Sequence, residues 1–351
     1  MTTNASYKLP DLLSLCDPFE LRTNRACRAV TAASESWLVD LPDALTERER
    51  DDLRHMKMGL LAALCFPTCD QPQLRLVTDF WTLLVVANRR AKPGQDPSSD
   101  NLLTHLAVRL QRLEDAAPAD CKARFRAHMA AHQAAEQQLV SGEAPTRDID
   151  MYMPFSDAVE ALDLPQEGEE RTLLDALTAH ALDLIAWSWD IVAYNVDQSV
   201  GRRNNAVQVI LDARGFSIQG AVTVAFSHAQ QAQHDFLECE RSLRERLEPP
   251  SPPSPVEPSW AATLSSYIGL VGGAPPPPDT PRSELPSQQC ADALRYVQGL
   301  RDCIAGVLHW AYETEMFFGR KQEVRSYIRT FGWVFLLEKS TEREEEANGT
   351  V

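Results

Sequence analysis

The chain has 351 residues, of which 44% are hydrophobic, and its formal net charge is −16. It contains no run of 18 apolar residues, so the composition predicts a soluble globular protein without a membrane span. The acidic balance excludes a broad surface for nucleic acid or anionic membranes, because such partners need clustered positive charge. No basic segment followed by an apolar stretch opens the sequence, which favours a cytoplasmic protein.

Apolar residues recur every three or four positions in segments rich in Leu, Ala, Arg, Glu and Gln, and alternating strand patterns are almost absent. This periodicity predicts an all-α fold with about ten helices in one bundle. The predicted helices span residues 22–39, 46–65, 71–91, 99–115, 119–140, 154–163, 169–197, 203–212, 216–246, 288–318 and 321–337.

Proline-rich sequence interrupts the helical pattern at about 248–287. Proline at this density prevents helix continuation and favours polyproline II or disorder. We therefore expect a single domain over residues 1–340 that carries a proline-rich insertion, followed by a disordered acidic tail at 341–351.

Eight cysteines are too few and too widely spaced for a disulfide scaffold in a chain of this length. Cys65 and Cys69 have no second Cys or His pair at the distance that a zinc finger requires. The sequence therefore predicts reduced thiols and no metal site of this kind.

Six short segments between residues 7 and 320 have distinctive sequences. They read Y-K-L-P-D-L-L at 7–13, A-S-E-S-W at 33–37, L-R-L-V-T-D-F at 74–80, W-D-I-V-A-Y-N-V-D-Q-S at 189–199, Y-V-Q-G-L-R-D at 296–302 and L-H-W-A-Y-E-T-E-M-F-F-G at 308–319. In the same order, they resemble motifs of the fungal, basidiomycete-type class I terpene synthases. The resemblance implies an all-α, class I terpene-synthase-like helical bundle around a central cavity.

In that family, an aspartate-rich motif and a helix with the pattern N-D-x-x-S-x-x-x-E hold three Mg²⁺ ions. The resemblance places the ligands of the second motif at Trp189, Ala193 and Asp197, and only Asp197 has a side chain that binds a cation. It places the start of the aspartate-rich motif at Asn88, in the segment N-R-R-A-K at 88–92. The cations of this segment would repel Mg²⁺.

The family's diphosphate-binding residues are replaced as well. The resemblance puts the diphosphate-sensing arginine at Phe155 and Ser156, the late arginine–tyrosine pair at Met316 and Phe317, and a further basic residue at Val200. Met316 and Phe317 cannot hydrogen-bond a phosphate oxygen. Loss at every position predicts a chain that does not ionise a prenyl diphosphate and needs no metal cofactor.

These replacements make the expected pocket mouth apolar. An aromatic cavity can hold an isoprenoid and stabilise positive charge by cation–π contacts, although each ring could equally pack in the core. The candidate substrate-binding residues are Trp81, Asn88, Phe155, Trp189, Ala193, Tyr194, Trp310, Met316 and Phe317.

Three carboxylates are candidate catalytic residues: Asp79, Asp190 and Asp197. Asp190 and Asp197 lie two helical turns apart and so share a helix face. A carboxylic acid buried among Trp side chains could protonate an alkene, epoxide or carbonyl. The competing interpretation is an ion pair that keeps the bundle closed, with Arg89, Arg90, Arg202 or Arg203 as partners.

Three functions remain open at this point. The first is a terpene-synthase-like enzyme of terpenoid metabolism that cyclises or rearranges a hydrophobic substrate lacking diphosphate, without Mg²⁺. The second is a Mg²⁺-dependent sesquiterpene synthase with unorthodox ligands. The third is a non-catalytic isoprenoid-binding protein. Each implies a small hydrophobic partner and no nucleic acid, and a homodimer is compatible with all three.

Overall fold

A computed structural model describes residues 6–40, 45–90, 162–248 and 285–339, with the single positions 105, 108, 111, 112 and 115. These residues form nine complete α-helices, a short 3₁₀ helix at Leu12–Cys16 and two strands. The helices are α1 (Cys27–Val39), α2 (Glu47–Met56), α3 (Met58–Cys65), α4 (Gln71–Arg90), α5 (Glu169–Ser199), α6 (Ala206–Arg214), α7 (Ile218–Leu247), α8 (Ser287–Glu313) and α9 (Gln322–Phe331). The strands are β1 (Ser6–Lys8) and β2 (Trp333–Phe335).

The long helices α5, α7 and α8 form the centre of the bundle. Helix α7 presents a buried stripe of small residues, which comprises Ala221, Ala225, Ala229 and Ala232. Small side chains at spacings of three and four let α5 pack closely along α7. Helix α8 packs on the other side, against α3 and α5. The all-α fold predicted from the sequence is confirmed in this way.

The predicted single helix over 46–65 is wrong, because the chain breaks at Lys57. This residue has φ 54°, in the left-handed region, and separates α2 from α3. Helix α2 is charged and lies at the surface, whereas seven of the eight residues of α3 are buried. One straight helix cannot serve both environments. The indole N–H of Trp310 stabilises the break by donating to the carbonyl oxygens of Met56 and Lys57, at 3.0 and 3.1 Å.

The predicted helix over 321–337 is correct only as far as Phe331. Gly332 ends α9 with φ 74°, and β2 then pairs antiparallel with β1. The pairing sets Tyr7 opposite Val334, and both side chains are buried. This two-stranded sheet was not predicted from the sequence. It brings the two ends of the described chain together.

Other helix boundaries differ by a few residues. Helix α1 begins at Cys27, not at 22, and α8 ends at Glu313, not at 318. Helix α7 ends at Leu247 and α8 begins at Ser287, on either side of the predicted insertion at 248–287. The insertion itself lies outside the described residues, as do the predicted helix 119–140, most of the predicted helices 99–115 and 154–163, and the tail. No helix in the described part of the chain is long and apolar enough to cross a bilayer.

Candidate functional site

Three of the predicted aromatic residues lie together at the C-terminal ends of α5 and α8. The ring of Trp189 stacks on that of Trp310, with centroids 5.5 Å apart and an interplanar angle of 17°. Phe317 meets both rings edge-on, at 5.2 Å from Trp189 and 5.9 Å from Trp310. Stacked and edge-to-face geometries are the favourable ones for aromatic pairs. We call these three residues the aromatic cluster.

Trp310 anchors this cluster in the core. Its side chain is fully buried, and its N–H holds the α2–α3 break described above. Just beyond it, α8 ends: the backbone N–H of Thr314 donates to Trp310 O at 2.8 Å, and the Thr314 hydroxyl donates to Met56 O at 3.0 Å. The Met316 N–H donates to the same hydroxyl at 3.3 Å. These bonds fix the turn that brings Phe317 back onto the cluster.

Beside Trp189 the described residues enclose a void of only about 10 Å³. Leu12, Ser188, Val192 and Tyr312 are among its walls. This volume holds about one water molecule. The cluster is therefore closely packed on this side. Beside the aromatic cluster, the described residues show this small void in place of the expected central cavity.

Asp190 and Asp197 do share a helix face, and Asn205 joins them. The Asn205 side-chain amide donates to the backbone oxygen of Asp190 at 2.8 Å and to Asp197 Oδ2 at 3.0 Å. The Asp190 carboxylate accepts from Ala206 N–H at 3.0 Å, at the positive N-terminus of α6. Arg202 Nη1 lies 3.6 Å from Asp197 Oδ1. The structure thus shows the ion pair with Arg202 that the competing interpretation expected.

Asn205 is the residue of this site that was not predicted from the sequence. It is buried, and its side-chain oxygen also accepts from Val207 N–H at 2.9 Å as the N-cap of α6. The signal was present, since Asn directly before an apolar periodic segment is a typical helix start. The predicted helix began at 203 and so placed this residue inside it.

Asp79 lies elsewhere, between α1 and α4. Its carboxylate is fully buried and accepts from the Ser34 hydroxyl at 2.5 Å and from Arg75 Nε at 2.7 Å. A buried carboxylate with a hydroxyl and a guanidinium as donors has the contacts of a structural ion pair. It joins two of the motifs noted in the sequence, at 33–37 and 74–80.

Trp81, Ala193 and Tyr194 are buried at other points of the bundle. Trp81 packs against Phe66, with ring centroids 5.5 Å apart. Tyr194 meets Tyr7 of β1 edge-on at 5.8 Å, and burial raises the pKa of its hydroxyl. Phe155 and the side chain of Asn88 lie outside the described residues. Their roles, like those of the other candidate residues, stay predictions.

The described part of α5 does not fit a Mg²⁺ ion of the kind that the resembled motif holds. Trp189 and Ala193 have no oxygen in their side chains, and Mg²⁺ prefers oxygen ligands in near-octahedral geometry. The carboxylate of Asp197 is already engaged by Asn205 and Arg202. Within the described ranges, no group of three or more His, Cys, Asp or Glu side chains is arranged to hold a metal.

The arrangement of these helices is that of the class I terpene synthases. The structure of hedycaryol synthase in complex with nerolidol matches 87% of this chain and 100% of its own, with a TM-score of 0.62 at 20% identity. The structure of α-eudesmol synthase matches 84% of this chain and 97% of its own, with a TM-score of 0.59 at 14% identity. At these identities the likeness establishes the fold alone.

Sequence comparison finds similar proteins in fungi. The family model "Terpene synthase family 2, C-terminal metal binding" matches residues 144–235. Sesquiterpene synthase Agr1 of Cyclocybe aegerita is 28% identical over 89% of this chain and 88% of its own. Sesquiterpene synthase 1 of Postia placenta is 28% identical over 91% and 93%. Over most of its length, the chain is therefore similar to fungal sesquiterpene synthases.

Proposed function

We propose that this protein binds a hydrophobic isoprenoid that carries no diphosphate and promotes its cyclisation or rearrangement without Mg²⁺. The observation that carries the proposal is the aromatic cluster. Trp189 occupies a position where the resembled motif has a metal ligand, and Phe317 occupies one where it has a phosphate-binding residue. Both rings pack onto buried Trp310. An aromatic wall therefore replaces a metal and phosphate site.

The chemistry of an aromatic wall suits such a substrate. Apolar carbon gains about 25 cal/mol for each Å² that it removes from water, so a substrate with many carbons is bound by burial. The face of a Trp ring also attracts positive charge, by as much as about 2 kcal/mol in a desolvated site. Rearrangements of isoprenoids develop positive charge on carbon. This wall would stabilise that charge without a metal.

The source of the proton is a separate part of the proposal. Asp197 and Asp190 are the nearest predicted acids on α5, and we keep them as candidates. Their contacts with Asn205, Arg202 and Ala206 also join α5 to α6. A D197N variant keeps the side-chain volume and removes the acidic proton, so it separates the two roles. Loss of turnover with unchanged stability would assign catalysis to Asp197.

A Mg²⁺-dependent sesquiterpene synthase is the second candidate, because the relatives named above are sesquiterpene synthases. Incubation with farnesyl diphosphate, in Mg²⁺ or in EDTA, separates the two functions. Our proposal expects neither diphosphate release nor a terpene product in either buffer. A hydrocarbon or alcohol that forms only with Mg²⁺ would overturn it and support the second candidate.

Binding is tested with nerolidol, a sesquiterpene alcohol without diphosphate that a structural neighbour binds. We expect nerolidol to quench the protein's tryptophan fluorescence saturably in the presence of EDTA. The variant W189A should weaken this binding about tenfold, which is typical of a central aromatic contact. The matched control is W187A, whose ring lies two residues away on the same helix and stacks on His228 instead.

Product analysis then distinguishes an enzyme from a carrier. Nerolidol, farnesol and an epoxide of farnesol are incubated with the protein and analysed by gas chromatography. A new cyclic or rearranged product that W189A abolishes supports catalysis. Binding without any product would leave a non-catalytic isoprenoid carrier. Equal binding by W189A and W187A would refute the aromatic wall as the site.

A further inference from the structure

A cavity of about 620 Å³ opens among α3, α4 and α8, away from the aromatic cluster. Its apolar wall includes Phe66 and Leu162, and its polar wall includes Arg22, Arg295 and Asp302. Sites for small organic ligands usually measure about 300–1,000 Å³ and combine an apolar wall with a few polar groups. This cavity has the size and the composition of such a site.

The cavity lies at the other end of the bundle from the candidate functional site. On α8, Gly299 at the cavity precedes Trp310 by 11 residues, which corresponds to about 16 Å along the helix. On α4, Gln73 at the cavity precedes Asn88 by 15 residues, or about 22 Å. A ligand in this cavity would not contact the aromatic cluster.

Residues 296–302, one of the motifs noted in the sequence, form one side of the cavity. Tyr296, Gln298, Gly299 and Asp302 all line it. Gly299 stands in the middle of α8, where glycine costs roughly 0.5–1 kcal/mol relative to alanine. Outside the backbone of α8 itself, no atom of the described residues would lie within 4 Å of a Cβ atom at this position. Backbone geometry therefore does not require glycine there, and its effect is to enlarge the cavity.

One guanidinium group, that of Arg295, stands at the cavity in a weak and exchangeable ion pair. Asp302 is buried and accepts two hydrogen bonds from the guanidinium of Arg22, so these two charges offset each other. Arg295 stands at the rim with 63% of its side chain exposed, and its distance to Asp292 is 3.6 Å. A contact of this length at an exposed site contributes little and exchanges readily. Among the described residues the lining thus carries two guanidinium groups and one carboxylate, and the carboxylate of Asp292 lies beside Arg295.

We propose that this cavity is a second binding site, which takes a small amphipathic monoanion such as a medium-chain carboxylate. The carboxylate would pair with Arg295 at the rim, and the apolar chain would lie over Gly299 against Phe66 and Leu162. Bound ligand would hold together the α3–α4 turn and the first half of α8. The site is independent of the proposed reaction and is tested without any measurement of activity.

The test is calorimetric titration of the full chain with octanoate and, separately, with 1-octanol. We expect octanoate to bind about two- to fivefold more tightly than 1-octanol, as for one ion pair at an exposed site. In R295Q the affinity for octanoate should fall by about the same factor. In G299L the affinity should fall tenfold or more, because the new side chain fills the cavity.

Two controls accompany these variants. G299A adds only a methyl group, so its melting temperature should be at least that of the natural chain, and G299L should also remain folded by circular dichroism. W189A should bind octanoate with unchanged affinity. The proposal is refuted if octanoate does not bind, if 1-octanol binds equally well, or if G299L has no effect. It is also refuted if W189A, not G299L, abolishes binding, because the ligand would then occupy the aromatic cluster.

Discussion

Substitution of Asn205 by alanine is the sharpest test of how α5 is held at its C-terminal end. The change removes the N-cap of α6, at a cost of about 1 kcal/mol. It also removes a hydrogen bond to the carboxylate of Asp197, worth about 1.5–3 kcal/mol, and one to the carbonyl of Asp190, worth about 1 kcal/mol. These contributions are not additive, and Asp197 retains its contact with Arg202. We expect the free energy of unfolding to fall by about 3 kcal/mol.

Urea unfolding, followed by circular dichroism and by tryptophan fluorescence, measures this change. The two transitions should coincide if unfolding is two-state. The matched variant is N205S, since serine also caps a helix, and it should recover about 1 kcal/mol of the loss. A double-mutant cycle of N205A with D197A should give a coupling energy of at least about 1 kcal/mol.

Two results would contradict the reasoning. A loss below about 0.5 kcal/mol for N205A would mean that the three hydrogen bonds contribute nothing net. Equal losses for N205A and N205S would mean that the cap has no role, and a zero coupling energy would remove the link to Asp197.

Three further predictions concern the core. W310F should lower the free energy of unfolding by about 1 kcal/mol in urea titration, because the α2–α3 break loses the hydrogen bonds of the indole N–H. The loss is limited because Met56 O keeps the Thr314 hydroxyl and Lys57 O keeps backbone donors. No loss would show that the α2–α3 break is stable by itself. Y7F should raise the free energy of unfolding by about 1 kcal/mol, since the buried Tyr7 hydroxyl has no hydrogen-bond partner within the described residues. Y296F should lower it by about 1 kcal/mol, because it breaks the hydrogen bond to the Thr178 hydroxyl at 2.8 Å. Changes of the same sign for both variants would refute the argument. Burial lowers the pKa of His309 below 6.5, so the folded state binds fewer protons than the unfolded one, and stability is lost as pH falls below 6.5. H309Q should flatten this slope below pH 6.5, and an unchanged slope would contradict the argument.

Helix periodicity predicted the long elements of this fold well, and it failed where a distant contact decides the structure. Nothing in the sequence at Lys57 indicates a break, because its left-handed backbone is stabilised by Trp310, which lies far along the chain on α8. Gly332 did carry a local stop signal for α9. The strand that follows needs β1 as its partner, and periodicity contains no information about that pairing.

For the candidate site, the motif positions selected three aromatic residues that contact one another in the structure, Trp189, Trp310 and Phe317. Their role in binding stays a prediction. The motif positions missed Asn205, whose role depends on the loop that returns α6 to α5. They also gave no sign of the cavity at Gly299, since its open space is created by three elements that are distant in sequence.

The short β1–β2 sheet has a consequence for biosynthesis. A ribosome that has produced Lys8 must add 325 further residues before Trp333 exists. At about 5–20 residues per second, this takes roughly 16–65 s. During that interval Tyr7 has no strand partner, and the Asn195 side chain lacks the backbone groups of Phe335 and Leu337 that it later binds. In the nascent chain, the β1–β2 pairing and these hydrogen bonds of Asn195 are therefore absent until almost the whole described chain has left the ribosome.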